Sequence, residues 1–248
     1  MLIVKHFRKI KKLFHHFTHP IIGKVWELHR VTHKRSTDVR YAPYDITPER
    51  LESLIVEYQK NGYTFVPINE IVLRLKTKTT WTQAVSSTKC IAITLDDGYG
   101  DNYEVAYPIF RKYHIPFCIY VSTGYIDKDF DVLDTHPHML TTEQLKVLAQ
   151  DPLCTIGAHT VSHPVMSDLS LAEQKKEIED SVENLHAIIG KKIQHFAIPF
   201  GEKNDDTLAL LQQAGICSQV DAWGGPVRRG MSPMSIPRYI VEESRIRE

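Results

Sequence analysis

Two adjacent aspartates follow an apolar run that has the composition of a buried strand. The run is Cys90–Leu95, and the acids are Asp96 and Asp97, followed at once by Gly98. Adjacent carboxylates repel each other, so the pair is tolerable when one binds a cation and the other accepts a proton. An ordinary Asp-Gly turn explains the segment better when it is taken alone.

Two histidines follow a second strand-like run. Leu153–Ala158 leads directly into His159, and His163 comes four residues later. Two imidazoles at this spacing can reach one ion, and neutral imidazole with carboxylate is a common zinc ligand set. Together with the aspartates at the end of the other run, the histidines favour a metal site over polar loop residues.

The elements that must position these side chains are strands that alternate with helices. From about residue 23 onward, short β-branched or aromatic runs alternate with amphipathic helical patterns. This alternation predicts a parallel sheet with crossover helices, and we expect an α/β barrel with its active site at the carboxyl ends of the strands. We predict a helix over 47–62, a strand over 63–68, and a longer helix that a capping box of Ser170 and Glu173 begins and Gly190 ends.

The composition limits the classes of function. The chain has 248 residues, 42% of them hydrophobic, and we predict one catalytic domain over residues 21–248 with an extension over residues 1–20. Thirty basic residues balance thirty acidic ones, which gives no support for a nucleic-acid partner. The four cysteines form no Cys-x-x-Cys pair, which favours buried thiols in a reducing compartment over disulfides or a zinc ribbon.

The first 20 residues are basic and amphipathic. They contain five Lys or Arg residues and no acid, and their Ile and Phe residues recur at helical spacing. A helix on an anionic membrane surface and a helix packed on the protein body fit this pattern equally well. The segment lacks the apolar core and the cleavage site of a secretory signal. We therefore expect a cytoplasmic protein, at the inner face of the membrane if this helix binds lipid.

The two motifs resemble those of a known family, the polysaccharide deacetylases of carbohydrate esterase family four. Thr94–Gly98 resembles the family's Thr-Phe-Asp-Asp-Gly motif, and His159–Pro164 resembles its His-Thr/Ser-x-x-His-Pro motif. The order of the motifs agrees, and the resemblance extends over roughly residues 25–242. It implies a distorted (β/α)7-type barrel as a single catalytic domain.

The resemblance also implies the roles of these side chains. Asp97, His159 and His163 are expected to bind a divalent metal, most often Zn²⁺, with Co²⁺, Ni²⁺ and Mn²⁺ as alternatives. Asp96 is expected to be the base that deprotonates water. The metal then supplies both a nucleophile and a Lewis acid.

A third stretch is expected to contact the substrate. Residues 196–201 correspond to the family's Arg-x-Pro-Tyr-Gly stretch, so Pro199, Phe200 and Gly201 are expected at the substrate, where a backbone N–H near Phe200 helps to hold the oxyanion. Tyr99 could stack on a pyranose ring, although an aromatic side chain is more often part of the core.

The chain departs from the family pattern at two positions. Ala197 stands where the family has the Arg that orients the base, and Arg238 could replace that Arg beside Asp96. The C-terminal Leu-x-His motif that supplies the general acid is absent. In a subset of the family with permuted motifs this histidine lies on an N-terminal strand, and residues 25–31 resemble that strand. We therefore expect His29 to protonate the leaving amine.

The resulting functional prediction is a metal-dependent deacetylase acting on N-acetylhexosamine residues of a bacterial-type glycan, such as a polysaccharide, a capsule or a lipopolysaccharide precursor. The partner is an N-acetylated carbohydrate. An O-acetyl esterase of the same family and a glycan-binding barrel without activity are the alternatives. A binding barrel has no need of an unused base, so the intact set of two aspartates and two histidines argues against it.

Overall fold

The computed structural model describes residues 20–77, 89–130, 134–222 and 224–246. The helix that the sequence predicts over residues 1–20 lies outside the described residues, apart from Pro20. Whether the extension is separate from the catalytic domain over residues 21–248 therefore stays a prediction. None of the described helices is long and apolar enough to cross a membrane.

A curled sheet of mostly parallel strands forms the centre of the molecule. Its strands and those of a small second sheet are β1 (Ile21–Leu28), β2 (Arg30–Val31), β3 (Asp45–Ile46), β4 (Thr64–Phe65), β5 (Cys90–Leu95), β6 (Phe117–Val121), β7 (Cys154–Ala158), β8 (His195–Ala197), β9 (Ser218–Val220), β10 (Val227–Arg228) and β11 (Tyr239–Ile240). In the large sheet the order is β10-β1-β5-β6-β7-β8-β9, with β11 beside β1 and β4 beside β5, while β2 pairs with β3. Among the strands of the described residues, only β10 pairs with its neighbour in antiparallel fashion.

Helices connect the parallel strands. The α-helices are α1 (Pro48–Lys60), α2 (Ile68–Lys76), α3 (Tyr107–Tyr113), α4 (Thr142–Gln150), α5 (Leu171–Ile189) and α6 (Asp205–Gln213), and a π-helical turn over Asn102–Ala106 leads into α3. Short 3₁₀ turns span Ala42–Tyr44, Thr123–Tyr125, Met166–Asp168 and Pro199–Gly201. The α/β class that the alternating pattern predicts is confirmed.

The local signals explain where most of these elements begin and end. The Ser170 side chain accepts from the Glu173 N–H as the reciprocal capping box requires, and Gly190 ends α5 at a φ of 67°. All six residues of β5 are buried, as expected for a parallel strand covered on both faces. The strand predicted over 63–68 is too long: Pro67 has no N–H for pairing, and α2 begins at Ile68.

The segment over residues 236–240 lies between β9 and β1 of the curled sheet. Ile236 forms a parallel bridge with Val220 of β9. Three residues later Tyr239 pairs with Trp26 of β1. Arg238 therefore lies between two strands of the sheet, with only 1% of its surface exposed.

Candidate active site

A cavity of about 370 Å³ lies at the carboxyl ends of the strands. The side chains of Asp96 and Asp97 after β5 and of His159 after β7 line it, together with His163 from the loop that follows. Parallel strands place their carboxyl ends at one edge of the sheet, which is where active sites form in such barrels. The structure thus brings the two sequence motifs together across β6, which lies between β5 and β7.

Three of these side chains converge on one point. Asp97 Oδ1 lies 3.4 Å from His159 Nε2 and 3.3 Å from His163 Nε2. The same oxygen is buried and has no hydrogen bond of normal geometry among the described residues. Asp97, His159 and His163 therefore form a group that could hold a metal ion.

The backbone fixes the orientation of His159. Its Nδ1 lies 2.8 Å from the carbonyl oxygen of Ala197, which can only accept, so Nδ1 carries the proton and donates it. When the ring is neutral, Nε2 carries the lone pair, and it faces the carboxylate of Asp97. Ala197 thus provides the backbone contact that commonly fixes the tautomer of a metal-binding histidine.

Electrostatic interactions act on the other two members of this group. Burial opposes ionisation of Asp97, but the close polar contacts with His159 and His163 and the charges of His163 and His29 outweigh it and lower the pKa of Asp97 well below its usual range. Burial also works against the protonated form of His163, yet the neighbouring Asp97 and Asp96 raise the pKa of His163. The group therefore behaves as a carboxylate that attracts positive charge.

Several residues at this edge adopt a left-handed backbone conformation. The φ angles are 73° at Asp97, 66° at Thr160, 59° at His163 and 59° at Phe200. Such values cost L-residues roughly 1–2 kcal/mol each, and they concentrate at functional sites. The turns that aim the side chains into the cavity are therefore held by their surroundings against local preference.

Glu177 of α5 helps to fix the loop that connects His159 and His163. Its carboxylate accepts from the backbone N–H groups of Val161 and Ser162 at 2.7 and 2.9 Å and from the Ser162 hydroxyl at 2.7 Å. These bonds fix the loop between His159 and His163. The sequence analysis did not find Glu177, because no local pattern links it to a loop 15 residues away.

Asp96 is held by a buried guanidinium. Arg238 Nη1 and Nη2 donate to the two oxygens of Asp96, each at 2.7 Å, and Nη1 also donates to Thr94 Oγ1 at 3.0 Å. Burial alone would raise the pKa of Asp96, but the charge and hydrogen bonds of Arg238 lower it. Arg238 therefore occupies the position beside Asp96 that the sequence analysis suggested, and it keeps that carboxylate ionised and oriented.

His29 lines the cavity at the end of β1. Its ring lies 4.6 Å from the ring of Tyr44, and its Nδ1 is buried without a hydrogen-bond partner among the described residues. Burial lowers the pKa of His29, while the charges of Asp97 and Asp96 oppose that effect. An imidazole with an uncommitted nitrogen beside two carboxylates is suited to proton transfer.

The predicted substrate stretch contributes one exposed side chain. Phe200 lines the cavity, is 52% exposed, and contacts His163 edge-on with ring centroids 4.8 Å apart. Pro199 is buried and has no N–H, and the Gly201 N–H donates to the Ile198 carbonyl at 3.0 Å. Of the three predicted residues, only Phe200 therefore offers both a side chain and a backbone position to a ligand.

Tyr99 lies in the cavity wall and is almost fully buried. The Arg30 guanidinium lies over its ring at 5.5 Å, and Arg30 Nε donates to Asp101 at 2.9 Å. Burial, reinforced by the charge of Asp97, raises the pKa of Tyr99 well above its usual range. The side chain is thus a neutral phenol that Arg30 holds in place.

An aromatic surface on the same side of the cavity was not predicted. Phe130 packs edge-on against Tyr125 at 5.3 Å and against Tyr99 at 6.1 Å, and Tyr41 and Met139 complete the cluster. These residues come from loops that show no helix or strand periodicity, so only the fold brings them together. Amphipathic rings beside a polar centre are suited to a sugar ring.

Comparison with known proteins agrees with this geometry. A family model described as polysaccharide deacetylase matches residues 83–218, which is more than half of the chain. The chain belongs to the polysaccharide deacetylase family. The match includes both motifs of the cavity, and it confirms the resemblance drawn from Thr94–Gly98 and His159–Pro164.

Two relatives have names that bear on function. The chain is 32% identical over 155 residues to the Bacillus subtilis protein YxkH, whose name assigns it to the same family, and the match covers 62% of this chain. It spans only about half of the length of YxkH, namely 52%. A poly-beta-1,6-N-acetyl-D-glucosamine N-deacetylase of Staphylococcus aureus is 26% identical over 209 residues, which cover 81% of this chain and 69% of that protein.

Solved structures confirm the fold. IcaB of Ammonifex degensii superimposes with a TM-score of 0.78 at 22% identity, over 90% of this chain and 93% of that one. The deacetylase PplD of Streptococcus pyogenes superimposes with a TM-score of 0.74 at 23% identity, over 90% and 94% of the two chains. The predicted distorted (β/α) barrel is therefore confirmed.

Proposed function

We propose that this polysaccharide deacetylase is a metal-dependent hydrolase that removes N-acetyl groups from N-acetylhexosamine residues of a glycan. The observation that carries the proposal is the convergence of Asp97, His159 and His163 beside an Asp96 carboxylate held by Arg238. Family membership supports deacetylation. The name of the Staphylococcus aureus relative supports an N-acetylglucosamine polymer as the substrate class.

The donor set fits a divalent ion, for which we favour Zn²⁺ over Co²⁺, Ni²⁺ or Mn²⁺. When His159 is neutral, as metal binding requires, its Nε2 and Asp97 Oδ1 are both acceptors 3.4 Å apart, and a positive charge between them would remove their repulsion. Two imidazoles and one carboxylate are typical of a catalytic zinc site, which keeps a position for water or substrate. Such an ion supplies Lewis acidity and makes water easier to deprotonate.

Within this proposal, Asp96 is the general base. Its lowered pKa keeps it ionised at neutral pH, and the two bonds from Arg238 leave the carboxylate a single orientation. A base acts efficiently only when it is held within hydrogen-bond reach of the proton that it takes. Arg238 therefore acts through Asp96 as a positioning residue.

His29 is the proposed general acid. It lines the same cavity as Asp96; burial lowers its pKa, and the charges of Asp97 and Asp96 oppose that effect and favour its protonated form. An amide nitrogen must be protonated before the C–N bond breaks, so a proton donor distinct from the base is required. Among the described residues, the other imidazoles that line the cavity are His159 and His163, which we assign to the metal.

The shape of the cavity supports a single sugar ring as the part of the glycan that enters. About 370 Å³ is within the usual range of small-molecule sites, and the aromatic cluster of Tyr99, Tyr125 and Phe130 forms one wall. Phe200 also lines the cavity, and its exposed ring is available to contact the sugar. This arrangement suits an acetamido sugar at a polymer end or within a chain.

Acetate release tests the proposal. Metal-depleted protein is supplied with Zn²⁺ and incubated with a β-1,6-linked N-acetylglucosamine pentamer and with an O-acetylated sugar. Metal-dependent release from the pentamer supports the N-deacetylase, whereas release only from the O-acetylated sugar would make the chain an esterase.

The Asp96→Asn variant is the matched control for this assay. It should retain the metal and lose on the order of 10²–10⁴ in turnover, the usual contribution of a general base. Binding of the pentamer without release by the wild-type protein would identify a glycan-binding barrel instead.

A further inference from the structure

A glutamate that the proposed reaction does not yet use lies beside the general acid. Glu27 lies on β1, and His29 follows directly after that strand; side chains two residues apart along an extended chain face the same side. Both residues line the cavity. Glu27 is only 3% exposed and lies in a strand whose neighbouring residues Trp26 and Leu28 are buried and apolar. A carboxyl in such a place costs stability unless its charge is balanced.

Glu27 contacts both His29 and the guanidinium that holds the base. Its Oε1 lies 3.9 Å from His29 Nε2, and its Oε2 lies 3.3 Å from Arg238 Nε without the geometry of a hydrogen bond. One polar atom from each of Glu27, His29 and Asp96 falls within a common distance of 4.8 Å. The acid, the base and the glutamate thus form one continuous buried cluster.

The charges of this cluster leave one proton to be shared. Asp96 and Arg238 form a bidentate pair whose charges cancel. A buried site then favours a neutral sum for Glu27 and His29, which is reached either by a carboxylic acid beside a neutral imidazole or by a carboxylate beside an imidazolium. Burial raises the pKa of Glu27 to about 8 and lowers the pKa of His29, so the two groups compete for this proton.

We propose that Glu27 is a positioning residue that shares with His29 the single proton delivered to the leaving nitrogen. This inference rests on the proposed function of the site. The proton moves from the Glu27 carboxyl to the imidazole, and the imidazolium donates it to the nitrogen as the C–N bond breaks. Small rotations or one bridging water close the gap of 3.9 Å.

The proton balance closes within the same cluster. Donation leaves Glu27 as a carboxylate opposite Arg238, and Asp96 meanwhile holds the proton taken from water. Transfer of that proton back to the Glu27 and His29 pair restores the site. One water and one amide then yield one amine and one acetic acid, with no other reactant consumed.

A second metal ion is the competing explanation for the cluster. Glu27, His29 and Asp96 are close enough together to bind one. Both oxygens of Asp96 already accept from Arg238, however, and the guanidinium supplies a positive charge 3.3 Å from Glu27. The geometry therefore favours a shared proton.

The test is the pH dependence of the Glu27→Gln variant of the full chain. The groups whose charges act on His29 are Asp97 and Asp96, which favour its protonation, and Arg238 and His159, which oppose it. All four remain in the variant, as does the Tyr44 ring, so any change isolates Glu27. Loss of a carboxylate about 4 Å away should move the alkaline limb of kcat/KM for the N-acetylglucosamine pentamer down by about 1 pH unit or more, with KM unchanged.

A second readout is independent of activity. The His29 imidazole is followed by NMR titration in the metal-free protein, where its midpoint should fall in Glu27→Gln. In the wild-type protein, the Glu27 carboxyl and the His29 ring should titrate jointly as a coupled pair, a measurement that needs no variant to fold. Asp101→Asn is the matched control, because Asp101 is also a buried carboxyl with its pKa raised to about 7 but is paired with Arg30; it should leave the alkaline limb in place.

Three results would overturn the inference: an unchanged alkaline limb in an active Glu27→Gln variant, independent titration of the two groups, or binding of a second Zn²⁺ that the variant abolishes. Failure of the proposed function looks different. In that case no acetylated sugar is hydrolysed, while the joint titration of Glu27 and His29 is still observed.

Discussion

Replacement of Arg238 is the perturbation with the largest expected effect away from the metal-binding group. Its side chain is 1% exposed and donates twice to Asp96 at 2.7 Å, once to the Asp221 carbonyl at 2.7 Å and once to Thr94. Arg238→Met leaves the Asp96 carboxylate buried without its partner. Breaking one side of a buried ion pair costs about 3–5 kcal/mol, because the remaining charge is not compensated.

Arg238→Lys separates charge from geometry. Lysine keeps the positive charge but presents a single point instead of the planar fork, so at least one bond to Asp96 is lost. A charge-assisted hydrogen bond contributes about 1.5–3 kcal/mol, so the loss of stability should be about 2 kcal/mol. A base displaced by about 1 Å should lower kcat on the order of 10², with little change in KM.

Urea unfolding and acetate release measure the two effects. Arg74→Met is the matched control, because Arg74 pairs at 2.7 Å with Glu70 one turn away on α2, and both side chains are partly exposed, at 25% and 34%. Such a pair contributes about 0–1 kcal/mol. Arg238→Met as stable as the control, or Arg238→Lys with full kcat, would refute the role assigned to this guanidinium.

Three further predictions concern other parts of the chain. Burial lowers the pKa of His195 from 6.5 to about 4, so as pH falls the unfolded chain takes up this proton before the folded protein does. The wild-type protein should therefore lose about 3 kcal/mol of its free energy of unfolding between pH 6.5 and 4. Urea unfolding of the metal-free His195→Gln variant should show a flatter dependence of stability on pH, and equal slopes for the two proteins would exclude this residue. The Phe200→Gly variant should be more stable than Phe200→Ala by roughly 1 kcal/mol, because glycine adopts a φ of 59° without strain. Both variants should raise KM. The reverse order of stability would contradict the left-handed backbone conformation at this residue. The full chain should bind anionic vesicles more tightly than a chain beginning at Ile21, less so at high salt, and equal binding by both would remove the membrane role proposed for residues 1–20.

The sequence predicts the part of the site whose residues lie in two short motifs, Thr94–Gly98 and His159–Pro164. Asp97 and His159 each follow a run that has the composition of a buried strand, and parallel strands bring their carboxyl ends together. The contact between Asp96 and Arg238 joins residues 142 positions apart. The positive charge and the approximate position of Arg238 suggested this contact, but only the fold shows its bidentate geometry.

Other features left weaker signals or none. Glu27 could have been noticed, because an acid two residues before His29 in an apolar strand faces the same side. The strand predicted over 63–68 ends early because Pro67 interrupts pairing, a signal that was present but not used. The aromatic cluster around Phe130 depends on loop packing, which has no periodicity to read.

The most direct test of the central claim is a crystal structure of the zinc-soaked protein with anomalous data collected at the zinc edge. The account predicts one strong peak with Asp97, His159 and His163 around it, each ligand atom about 2.0–2.2 Å from the ion. In Asp97→Ala the peak should disappear while the barrel remains folded. A peak at another place, or three side chains that diverge in the presence of zinc, would contradict the assignment of this group as the metal site.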